Sequence, residues 1–227
     1  MPYVLSPSRL ELFKECPRCF WLLMRKGIKR PSGIFPSLPS GMDSVLKSHF
    51  DSYRDRGELP PELVREGLQP GEVSLFGNAE LLKEWRNNRK GIRWTDEKGN
   101  VLMGAVDNIL VKGSKLIVLD YKTRGFPLKE GTADFYQDQM DIYNFLLKKN
   151  GYETEDYAYL LFYHPVEVNE KGEVIFETDL VRVEVSVENA EKIFRNALKV
   201  LEGEMPEPSE ECEYCLWASN SNKEQII

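Results

Sequence analysis

Apolar and polar positions along this chain follow two periods, and the switches between them mark out its elements. Residues 101–111 (VLMGAVDNILV) and 115–121 (KLIVLDY) are apolar and rich in β-branched residues, which predicts two strands. Between them, Gly113-Ser114 suits a two-residue hairpin turn, because glycine takes a positive φ without strain. Residues 92–95 (IRWT) read as a preceding strand and 157–163 (YAYLLFY) as a buried one. Residues 173–185 alternate as an edge strand or hairpin. Helical spacing appears from Met42 to Arg56, where Val45, Leu46, His49, Phe50 and Tyr53 share a face. It appears again at 78–90, 133–149 and from Ser186 to Glu202. A first helix should run from Pro7 toward Cys16, with Ser6 as its cap and Ser8-x-x-Glu11 offering a capping box. Pro17 interrupts it ahead of a second apolar segment at 18–25. The Pro- and Gly-rich stretch 30–41 reads as a loop and Gly57 to Gly71 as turn-rich, and Pro206 and Pro208 end the last long helix.

The hairpin carries candidate chemistry. A Gly113-Ser114 turn pairs Lys112 with Lys115 and Val111 with Leu116, and the same register brings Asp107 opposite Asp120. Directly opposed residues share a face, with Cβ atoms roughly 4.5–5.5 Å apart. Facing carboxylates repel unless a cation or proton sits between them. Lys122, two residues past Asp120, falls on the same face. Two acids and a lysine in this pattern describe a divalent-metal site with a cationic neighbour. Gln139 and Tyr143, four residues apart, share one face of the helix that follows.

All four cysteines lie in two C-x-x-C pairs near opposite ends, Cys16-Pro-Arg-Cys19 and Cys212-Glu-Tyr-Cys215. That spacing reads as one thiolate metal site sooner than as a disulfide framework, and it suits zinc or an iron–sulfur cluster.

Gly104-x-x-Asp107, Asp120-Tyr-Lys122-Thr and Gln139-x-x-x-Tyr143 together resemble the PD-(D/E)XK nuclease superfamily, in its RecB-type branch. The resemblance implies an α/β, restriction-endonuclease-like core of order αβββαβ. It implies that Asp107 and Asp120 bind Mg²⁺ or Mn²⁺ with the Tyr121 carbonyl as a third ligand. It gives Lys122 the role of positioning water or phosphate, and it makes Gln139 and Tyr143 line the site. Family members often carry a metal-binding histidine in a G-x-x-x-H pattern before a leucine. Here Gly41-Met-Asp43-Ser-Val-Leu46 puts Asp43 forward as its substitute, with a helix cap as the competing reading. His49 reads as a packed or rim residue and His164 as structural. Cluster-bearing relatives hold [4Fe–4S] with one N-terminal and three C-terminal cysteines, whereas this chain has two and two. Its Cys-Pro context favours the cluster and its symmetric pairs favour Zn²⁺. The expectation is [4Fe–4S], with Zn²⁺ as the alternative.

Composition changes the picture in one respect. The 30 basic and 37 acidic residues leave a net charge of −7, whereas nucleic-acid affinity is dominated by phosphate contacts to basic groups. Local basic stretches at Arg25-Lys26 with Lys29-Arg30, at Arg86/Arg89-Lys90/Arg93 and at Lys122 with Arg124 are the candidates for a groove. A protein partner could supply further basic surface. No signal peptide or spanning segment is evident, so a cytoplasmic protein without membrane association is expected.

These readings predict a single nuclease domain over 1–227, with 92–185 as catalytic core and 1–30 with 205–220 as the cysteine clip. The resemblance implies a metal-dependent deoxyribonuclease, an exonuclease on single-stranded or end-containing DNA, in repair or in CRISPR or phage defence. The alternative is an inactive nucleic-acid- or protein-binding module on the same fold.

Overall fold

The computed structural model describes residues 2–223. Among these residues a five-stranded sheet forms in the order β2-β5-β6-β7-β8. Its members are β2 (Ser74–Leu75), β5 (Asn108–Lys112), β6 (Lys115–Thr123), β7 (Tyr157–Val168) and β8 (Val174–Glu184). A smaller sheet runs β1-β4-β3, from β1 (Val4–Leu5), β4 (Val101–Gly104) and β3 (Ile92–Thr95). The fold is mixed α/β, consistent with the expected nuclease core.

The Gly113-Ser114 turn forms, and β5 pairs with β6 in the expected register, from Lys112–Lys115 to Asn108–Leu119. The run 101–111 is not one strand, however. The chain leaves the small sheet at Gly104 and joins the large one at Asn108, with Ala105-Val106-Asp107 making the crossing. Both halves are apolar because both face buried layers, so the pattern alone does not mark the break. The glycine does: a Cβ on Gly104 would stand 2.6 Å from the Tyr143 ring, and strand glycines often mark such close approaches.

Strand β6 is buried on both faces, which accounts for its nearly continuous apolar sequence. Ile117, Leu119 and Tyr121 pack with Leu46 and Phe50 of helix α3 (Ser37–Arg56). Leu116 and Val118 belong to the opposite layer, with Met140, Ile142 and Phe145 of helix α6 (Gln137–Lys149). Period-2 alternation therefore aims Asp120 and Lys122 toward the α6 side.

Helix α3 begins five residues before the expected Met42, because Pro39 is tolerated in a first turn. Asp43 thus lies inside the helix, and the cap reading is corrected. A short helix, α4 (Pro61–Arg65), lies within the turn-rich stretch 57–71. Helix α5 (Ala79–Trp85), capped by Asn78 through the Leu81 amide, stops well short of residue 90. The 133–149 helix is a 3₁₀ turn over Thr132–Tyr136 followed by α6. Helix α1 (Pro7–Glu15) has no side-chain cap, so the capping box at Ser8 and Glu11 does not form.

Helix α2 (Pro17–Trp21) runs into a π-helical turn ending at Lys26. Helix α7 (Val187–Glu202), capped by Ser186 as expected, packs on α6. Helix α8 (Glu213–Lys223) follows Cys212. No helix among the described residues is long and apolar enough to cross a membrane.

Candidate active site and cysteine centre

β5 ends at Asn108, while β6 runs on to Thr123. Beyond Leu119, the edge of β6 away from β7 has no strand partner in the β5 ladder. The Asp107 carboxylate occupies that edge: its Oδ2 accepts the Tyr121 amide at 3.1 Å. This bond, rather than a ladder rung, brings Asp107 beside Asp120. Its other oxygen lies 3.0 Å from the Lys47 ammonium, which also holds Asp43 at 2.8 Å. Asp43 therefore joins the site through Lys47. Lys47 itself escaped the sequence reading, although its position four residues after Asp43 on one helix was a usable signal.

Asp120 is buried. Lys122 Nζ lies 2.5 Å from its Oδ2 and forms an ion pair with it. Burial and then the Asp107 charge push the Asp120 carboxyl up to about 7, against the pull of Lys122 and Lys47. Burial works against the charge on Lys122, but Asp120 and Asp107 outweigh it and raise its pKa. Lys122 donates to Gln139 Oε1 at 2.9 Å, and Gln139 Nε2 donates to the Tyr143 hydroxyl at 2.8 Å. Burial, then the charges of Asp120 and Asp107, hold the Tyr143 phenol well above its ordinary pKa. The Tyr136 ring lies 4.4 Å from Lys122 Nζ.

Tyr121 offers the site only its main chain. Its side chain turns to the α3 layer, where the Asn108 amide donates to its hydroxyl at 2.5 Å. Arg86 braces the crossing by donating to the Asp107 carbonyl at 2.6 Å, and it is held in turn by both oxygens of Asp51. Glu11 of α1 is a further carboxylate near the lysine. Burial and Glu15 raise its pKa, and Lys122 lowers it. No spacing in the sequence tied Glu11 to the hairpin. His49 lies outside the cluster, with its ring 2.9 Å from Glu62. His164 is buried beside Glu177 and Asp179 of β8.

A cleft of about 1210 Å³ opens beside Gln139, Tyr143 and Gly104, and Arg9, Arg25 and Arg89 line it. Two of the candidate basic stretches thus contribute to one groove. Arg9 and Arg25 also donate inward, to the Val4 and Leu201 carbonyls, and Arg86 and Arg30 are spent inside the protein, Arg30 on Glu15 and on Cys212 Sγ at 3.5 Å.

The carboxylate and carbonyl donors at Asp107, Asp120 and Tyr121 suit a hard divalent cation. Among the described residues, only the cysteines bring three or more Cys, His, Asp or Glu ligand atoms within 4.8 Å of one another. Cys16, Cys19, Cys212 and Cys215 do so as free thiols from opposite ends of the chain. They form a candidate metal centre.

The family model of the PD-(D/E)XK nuclease superfamily matches residues 4–219. Among solved structures, the chain is similar to that reported as the crystal structure of SSO0001. The two share 16% identity at a TM-score of 0.45, over 96% of this chain and 85% of that one. No curated protein matches.

Proposed function

As the chain belongs to the PD-(D/E)XK nuclease superfamily, we propose that it is a metal-dependent deoxyribonuclease whose site is Asp107, Asp120, Lys122, Gln139 and Tyr143. The observation that carries this reading is the contact chain Asp120–Lys122–Gln139–Tyr143 beside the Asp107 carboxylate. Asp107, Asp120 and the Tyr121 carbonyl would hold Mg²⁺ or Mn²⁺, with Asp43 acting on the site through Lys47. Bound there, the ion supplies an acidified water and positive charge for the scissile phosphate.

The chain's own residues do the rest. Lys122, kept charged by the two acids, orients water or phosphate. Gln139 and Tyr143 fix its ammonium against the α6 face. Arg9, Arg25 and Arg89 offer phosphate contacts along the cleft. We assign the protein to single-stranded or end-containing DNA as an exonuclease in repair or in CRISPR or phage defence, with a partner adding basic surface to a chain of charge −7. The four cysteines are assigned to a second, thiolate-bound centre, for which the family resemblance implies [4Fe–4S] and Zn²⁺ is the alternative. We place the protein in the cytoplasm, where thiolates that serve a metal stay reduced.

One observation favours a second reading. Lys47 already neutralises Asp107, as it would in an inactive binding module. Digestion of end-labelled linear and circular single-stranded DNA separates the two. Mg²⁺-dependent loss of the linear strand, absent in Asp120→Ala, supports the nuclease. No cleavage with Mg²⁺ or Mn²⁺, or full activity in Asp120→Ala, refutes it.

A further inference from the structure

The two C-x-x-C pairs are built alike. Cys16 precedes α2 and Cys19 lies in its first turn; Cys212 precedes α8 and Cys215 lies in its first turn. The Cys16 carbonyl accepts the Phe20 amide at 3.0 Å, and the Cys212 carbonyl accepts the Leu216 amide at 3.0 Å. Each pair therefore wraps one helix start and presents two sulfurs, and the two halves meet face to face.

The sulfur separations are 3.8 Å for Cys16–Cys215, 3.6 Å for Cys19–Cys212 and 3.5 Å for Cys19–Cys215. All four sulfurs lie within 4.8 Å of one another. These distances are well beyond the ~2.05 Å of a disulfide. They match the edge of a sulfur tetrahedron about one ion: at a Zn–S bond of ~2.3 Å, that edge is ~3.8 Å. A cubane cluster cannot fit the same four sulfurs. Each thiolate there caps a different iron, which spreads the sulfurs to roughly 6 Å apart.

The surroundings agree with a closed, single-ion site. Cys16, Cys19 and Cys212 are buried and Cys215 is half-buried, with Leu12 packed against them. The Arg30 guanidinium donates to Cys212 Sγ, which offsets part of the net negative charge that four thiolates leave on a divalent ion. Four thiolates fill a tetrahedral site, and among the described residues no histidine or carboxylate joins them, so no ligand position is left for catalysis.

We infer that the four cysteines hold a single tetrahedral zinc ion and not an iron–sulfur cluster, so that the clip is structural and redox-silent. This inference rests on the sulfur geometry and is independent of the nuclease reading. Its test is therefore run on the full chain and on Asp120→Ala alike, and a failure there leaves the cleavage assay untouched.

The full-length protein is purified anaerobically and its metal, acid-labile sulfide and visible spectrum are measured. The expected result is a colourless protein with one zinc per chain. Exchange into Co²⁺ should then give the strong visible bands of a tetrahedral thiolate site, and Cys215→Ser should weaken or abolish them. Iron with acid-labile sulfide and a broad absorption near ~400 nm would overturn the inference. So would iron without sulfide, or a protein that neither retains zinc nor takes up cobalt at the cysteines.

Discussion

The acid–lysine cluster and the cysteine centre are assembled in opposite ways. Asp107 and the Tyr121 amide that anchors it are 14 residues apart, on one hairpin. The sulfurs that meet at the clip are 193 to 199 residues apart. The first site is a local device that a turn and a register can aim. The second exists only when α1, α2 and the segment after α7 have been brought together by the whole fold. They differ in electrostatics as well. The acids repel each other, and Lys47 and Lys122 only partly offset this, so the site stores instability that function explains. The cysteines release their protons as an ion binds, after which they hold the structure.

The sharpest way to break this comparison is to remove charge from the hairpin. Lys122→Met and Asp107→Ala should each lower Mg²⁺-dependent cleavage by about 10³-fold or more; Asp107→Ala relieves the repulsion between the acids, whereas Lys122→Met takes the cation from the buried Asp120 and should lower thermal stability. An active Lys122→Met enzyme in steady-state assays would detach the cluster from the chemistry.

The reciprocal test is Cys16→Ser. It should lose the bound metal and fall markedly in urea midpoint, since ligand loss uncouples both segments of the clip. Cleavage per folded molecule should stay near normal. A stable Cys16→Ser protein would make the cysteines ornamental.

The Asp120 carboxyl gives a pH-dependent version. Its folded pKa, raised to about 7 by burial and Asp107, lies above the ~3.9 of an unfolded aspartate. The folded state therefore binds more protons between these values, and stability falls as pH rises through that window. In EDTA, Asp120→Asn should gain on the parent by up to a few kcal/mol at pH 8, less at pH 5, and nothing below about pH 4. Denaturant melts across this range measure it, and a gain that does not change with pH would contradict it.

The smallest effect should come from Gly104→Ala. The new methyl meets the Tyr143 ring and Leu146, at a cost of about 1–3 kcal/mol. Unlike the acid variants, it should lose stability and activity together, because Tyr143 steadies Gln139. Calorimetry with a cleavage assay would show whether the two losses separate.

The sequence was informative where chemistry follows from short-range periodicity. The turn, the register, the shared face of Asp120 and Lys122, and the i, i+4 pair at Gln139 and Tyr143 are all consequences of repeat geometry. It was silent where a contact depends on packing. Lys47 reaches Asp107 only because α3 crosses β6, and Glu11 feels the Lys122 charge only because α1 docks near α6. The break at Ala105–Asp107 hid inside a run that is buried on either side of it. The start of α3 was missed because Pro39 reads as a loop residue unless the first turn is already known. The cysteine pairs announced a metal centre, but its size depends on sulfur separations that no spacing in the sequence encodes.

The distance along the chain between the cysteine pairs has a kinetic meaning. Contacts between such remote segments form late, after the loop between them has been ordered by the hairpin and the helices. An ion gripped by those segments would be absent from the folding transition state, and stabilisation absent there slows unfolding without speeding folding. Stripping the metal should therefore raise the unfolding limb of a chevron, with faster escape from the native state, while the refolding limb stays where it was. The clip would then act as a latch on the finished molecule and not as a guide to its assembly.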